Sequence, residues 1–97
     1  MSHTIEKIKA YYATQTRPFA EFEEKVLIES LSAIEKNPNL GTVVLRNQQG
    51  YREFDEFCRS MSFYQDLSGF QYHWWIGNLK FILISGADAF LHRINQG

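Results

Sequence analysis

Ninety-seven residues, 44% of them hydrophobic and 22% charged, make a chain long enough for one core and too apolar for a disordered segment. A formal net charge of −1 gives no whole-chain attraction to nucleic-acid phosphates. The longest strictly apolar run, Phe81 to Ile84, is far too short to span a bilayer.

A single cysteine cannot close an internal disulfide, which favours a reducing compartment. Met1 to Gln15 is polar and lacks the apolar centre of a signal peptide. The expectation is one globular, soluble, cytoplasmic domain over residues 1–97, with no membrane association. Eight Phe, five Tyr and two Trp suit either a compact core or a binding surface, because each ring carries a large apolar area.

In chain order, Ile5, Ile8 and Tyr12 recur at helical spacing and predict a short helix from Thr4 to about Ala13. Thr16-Arg17-Pro18 predicts a second helix start, with Thr16 as cap and Pro18 in the first turn. From Phe19 to Lys36 an apolar half-wheel of Phe19, Phe22, Val26, Leu27, Ser30, Leu31, Ala33 and Ile34 faces a charged one. Asn37-Pro38-Asn39 ends it, since the residue before proline is pushed out of the α region.

Leu40 to Arg46 contains the run Thr42-Val43-Val44-Leu45, which predicts a central strand buried on both faces. Tyr51 to about Tyr64 returns to helical spacing through Phe54, Phe57, Cys58 and Met61. A competing reading makes Tyr51 to Phe54 a strand. Leu67-Ser68-Gly69 closes this helix.

Phe70 to Ser85 then reads as a β-hairpin turning at Gly77-Asn78, a dipeptide suited to the positive φ of hairpin turns. Its register places Tyr72, Trp74, Ile76, Leu79, Phe81 and Leu83 on one face, and Gln71, His73, Trp75, Lys80, Ile82 and Ile84 on the other. Ser85 to Asp88 resembles a capping box, opening a last helix with Phe90, Leu91 and Ile94 on its apolar side. The predicted order is α-α-β-α-β-β-α, an α+β fold with a small mixed sheet of about three strands packed with three to four helices.

No constellation points to catalysis. Cys58 with His73 or His92 offers a thiol and a base, but Cys58 lies on an apolar helical stripe, which predicts an inert buried thiol. His3, Cys58, His73 and His92 lack metal-ligand spacing. Glu53, Asp55 and Glu56 read as a solvated helix face, and no phosphate loop, nucleophile elbow or dinucleotide fingerprint is present. No cofactor is expected. The basic residues Arg46, Arg52, Arg59, Lys80 and Arg93 are scattered, which argues against a nucleic-acid platform.

What remains is the second face of the hairpin. If no helix covers it, Trp75 with His73, Lys80 and Gln71 makes a protein-binding anchor; if one does, Trp75 is core. Ile28, opposite the apolar stripe of its own helix, adds a second contact point. The expectation is a non-enzymatic protein-interaction module of inhibitor, immunity, adaptor or accessory-subunit type, occluding or tethering a protein partner or a second copy of itself. The alternatives are a small-ligand or cofactor carrier and a single-stranded nucleic-acid binder.

Overall fold

Helical spacing in the first third of the sequence becomes helix. A computed structural model of the chain describes residues 2–37 and 48–96. In chain order the helices are α1 (Ser2–Tyr12), α2 (Ala20–Glu35), α3 (Gln48–Arg59), α4 (Gly69–Ser85) and α5 (Ala87–Gln96), with a 3-10 turn at Tyr64–Asp66. Among the described residues there is no strand. The α+β expectation is therefore corrected: the described chain is all helical. The predicted strand at Thr42–Leu45 lies outside the described residues.

α1 buries Ile5, Ile8 and Tyr12 against α2 and α5. α2 begins later than its predicted start, at Ala20, with Phe19 in the cap position and no side-chain cap. Phe19 itself, expected on the apolar stripe, is exposed. From Ala20 onward the stripe is as its spacing dictates, with Val26, Leu27, Ser30, Leu31 and Ile34 buried. Tyr51 to Phe54 is helical, so the strand alternative there falls, and α3 contributes Phe54 and Cys58 to the core. It stops at Arg59, and Phe63 is buried beyond its end.

The predicted hairpin is the main correction. Phe70 to Ser85 lies within a single helix of 17 residues that runs straight through Gly77-Asn78. A nearly continuous apolar run satisfies a period of 2 and one of 3.6 equally, so alternation there decides nothing and length favours helix. The ends supply what the interior cannot. Ser68 accepts a hydrogen bond from the Gln71 N–H at 3.1 Å, while the Gln71 side chain accepts one from the Ser68 N–H at 2.9 Å. This is a capping box at the start of α4. At the other end Gly86 takes φ 91°, a left-handed conformation suited to glycine after a helix. The Gly86 carbonyl then accepts from the Phe90 N–H, so Gly86, not Ser85, sits at the cap of α5. Gly77 costs the helix about 1 kcal/mol relative to alanine, which is small beside about 1.5–3 kcal/mol for each buried large apolar side chain.

Among the described residues, buried side chains from each of the five helices form one cluster. α2 packs on α4, and α4 on α5. Trp75 is fully buried in this cluster, with Phe63 edge-on at 4.8 Å between ring centroids. Its indole N–H donates to the Ser30 hydroxyl at 2.7 Å, and that hydroxyl donates in turn to the Val26 carbonyl. A serine on an apolar stripe thus makes the burial of an indole N–H affordable.

Candidate functional site

α4 is apolar on two sides. Its inner side buries Trp75, Leu79 and Ile82. At 3.6 residues per turn, Phe70, Trp74, Gly77, Phe81 and Ile84 fall within about 40° of a line on the outer side. Phe70 is 79% exposed and Ile84 57%, while Trp74 and Phe81 are half-buried. A Cβ built on Gly77 meets nothing within 4 Å. A helix hydrophobic all round ordinarily lies buried on all sides, so this outer stripe is the part of the surface that departs most from a solvated one.

Cations border the stripe. Lys80 places its ammonium 5.5 Å from the centre of the Tyr51 ring and 5.7 Å from that of Phe54. Arg93 of α5 lays its guanidinium 3.9 Å from the centre of the Phe81 ring. No Asp or Glu occurs between Leu67 and Ala87.

Beside the stripe lies a cleft of about 390 Å³, lined by Arg17, Glu23, Trp74, Asn78, Arg93 and Ile94. Glu23 is buried and fully engaged. One carboxylate oxygen accepts from the Tyr12 hydroxyl at 2.8 Å and from Arg17 Nη2 at 2.7 Å, and the other from Arg17 Nη1 at 2.8 Å. Burial first, then the hydrogen bond to Glu23, raises the Tyr12 hydroxyl well above the usual phenol range. This bidentate pair ties the α1–α2 turn to the first turns of α2.

The residues expected to bind a partner are not assembled on one face. Trp75 is buried in the core. His73 is exposed and Lys80 half-buried, both on the margin of the outer stripe. Gln71 serves the capping box. Ile28 lies in a different hollow on α2, lined also by Lys9, Glu21, Glu24, Lys25 and Glu29. Helical geometry exchanges the tryptophans: Trp74, assigned to the inside by the hairpin register, borders the outer face, and Trp75 turns inward. The signal that could have found this was the Ser68-x-x-Gln71 box ahead of a long apolar run.

Cys58 is buried, and desolvation pushes its thiol pKa up to about 12. A neutral thiol is a poor nucleophile and a poor metal ligand. Among the described residues no group of three or more His, Cys, Asp or Glu is arranged to hold a metal ion. Nor is any helix among them long and apolar enough to cross a membrane. Compared with models of known families, with curated proteins and with solved structures, the chain matches none.

Proposed function

We propose that the chain is a protein-interaction module that docks an amphipathic helix of another protein along the outer face of α4. The observation behind this reading is that α4 carries a second apolar side, with Phe70 and Ile84 exposed at its ends and Trp74 and Phe81 half-buried between them. Helical partners are read through anchors at such i, i+4, i+7 spacings, and Gly77 at the midpoint lets a partner backbone come close. Charge fixes the partner's chemistry. His73, Lys80 and Arg93 border the stripe and α4 contains no carboxylate, so the partner's borders are acidic. The cytoplasm is the proposed location, because one buried cysteine suits a reducing compartment.

Two synthetic helical peptides test this, each with one leucine face, one bordered by glutamates and the other by lysines. Fluorescence anisotropy of the labelled peptides should show tighter binding of the glutamate version. Phe70→Ser should weaken that binding by about 2 kcal/mol if Phe70 is an anchor. Equal binding of both peptides, or an unchanged affinity for Phe70→Ser, refutes the reading. Light scattering that shows a dimer abolished by Phe70→Ser would instead make the occupant a second copy of the chain.

A further inference from the structure

We propose that the cleft between the α1–α2 turn, the middle of α4 and the end of α5 binds a small organic monoanion, a carboxylate on a compact apolar body. Its volume of about 390 Å³ lies within the range of small-molecule sites. Trp74 and Ile94 supply apolar wall, and Arg17, Glu23, Asn78 and Arg93 the polar groups.

The charges are unequal in availability. Arg17 and Glu23 neutralise each other through two hydrogen bonds, and Arg17 Nη2 also donates to the Tyr11 hydroxyl at 3.3 Å. Arg93 has no carboxylate within 4 Å among the described residues. It is nevertheless held in place: the Phe81 ring lies under its guanidinium, and its Nη2 donates to the Asn78 side-chain oxygen. Asn78 is fixed in turn by donating its amide to the Trp74 carbonyl at 2.8 Å. An asparagine is a poor choice for a helix interior, and here it orients an arginine.

A guanidinium already stacked and aimed loses less entropy on meeting a carboxylate than a free one does. Among the described residues the cleft's lining side chains, Arg17, Glu23 and Arg93, sum to one positive charge, which matches a monoanion. A dianion would bring its second charge against Glu23. The cleft shares Trp74 and Arg93 with the border of the docking face, but Phe70 and Ile84 do not line it, so Phe70→Ser tests the docking of a helix and Asn78→Ala tests the cleft.

The test is an NMR titration of the intact ¹⁵N-labelled chain with benzoate, its neutral isostere benzamide and inorganic phosphate. Benzoate should move the Trp74 indole N–H and the Asn78 side-chain amide saturably, with a Kd of about 1 mM or tighter. Benzamide and phosphate should each bind about tenfold more weakly or worse. Arg93→Gln should lose about tenfold in benzoate affinity, and Asn78→Ala, which keeps the charge but frees its position, should lose less. An unmoved Trp75 indole resonance certifies that each variant is folded. The proposal is overturned if benzoate fails to saturate or leaves Trp74 and Asn78 unmoved. It is equally overturned if benzamide or phosphate binds as well, or if Arg93→Gln changes nothing.

Discussion

Ser30 lies among Val26, Leu27, Leu31 and Ile34 on the buried side of α2, and its hydroxyl is what allows an indole N–H to be sealed from water. Removing that acceptor leaves the Trp75 N–H buried and unpaired, so Ser30→Ala should cost about 1–3 kcal/mol in denaturant unfolding. The sequence placed Ser30 on the apolar stripe but gave no hint of its partner, because the hairpin register sent Trp75 outward. Cys58 was better served: its place between Phe54 and Met61 at helical spacing foretold burial. Its pKa, pushed up to about 12, has a definite sign for stability. Above the unfolded thiol value of about 8.5 the unfolded chain releases a proton that the folded chain keeps. Stability contributed by the neutral thiol is therefore complete below about pH 8.5 and falls by about 1.4 kcal/mol per unit above it. Tyr12, also raised, adds to the loss above about pH 10. Unfolding measured at pH 7 and pH 10 should show the gap between the wild type and Cys58→Ala shifting by about 2 kcal/mol in favour of the variant. A gap independent of pH would contradict a desolvated thiol.

Elements with two kinds of face were legible, and the one with a single kind was not. In α2, charged Glu21, Lys25 and Glu29 interrupt the apolar residues at the helical period, so periodicity alone identifies the helix. In α3, where Arg52, Glu56 and Arg59 are exposed opposite Phe54 and Cys58, the same period points to a helix but leaves Tyr51 to Phe54 open to a strand reading. In α4 the outer stripe fills the positions that polar residues normally occupy, and the contrast that reveals a period disappears. The turn propensity of Gly77-Asn78 then outweighed a capping box, Ser68 with Gln71, at the edge of the apolar run. Ser68→Ala removes that cap and should destabilise the chain by about 1 kcal/mol, read from the midpoint of urea unfolding. No loss would mean that α4 does not begin where its hydrogen bonds indicate.

At the scale of the molecule, the five helices among the described residues share one core, and α4, which buries Trp75, Leu79 and Ile82 in it, carries a second apolar side. A surface of that kind is what the functional proposal rests on, and no periodicity could have located it, since a hairpin and a helix group the side chains of Phe70 to Ser85 into different faces, with Trp74 and Trp75 exchanged between them. The aromatic excess suits a core or a binding surface equally; only the helix places Phe70, Trp74, Phe81 and Ile84 on one side. Everything turns on the backbone at Gly77, and thermal unfolding of Gly77→Ala tests it directly. In a helix with open space around the new methyl group, alanine should stabilise by about 0.5–1 kcal/mol, raising Tm by roughly 4 °C. In a hairpin turn needing φ > 0 at that position the methyl group would be strained, and a lowered Tm would contradict the helix and the docking face with it.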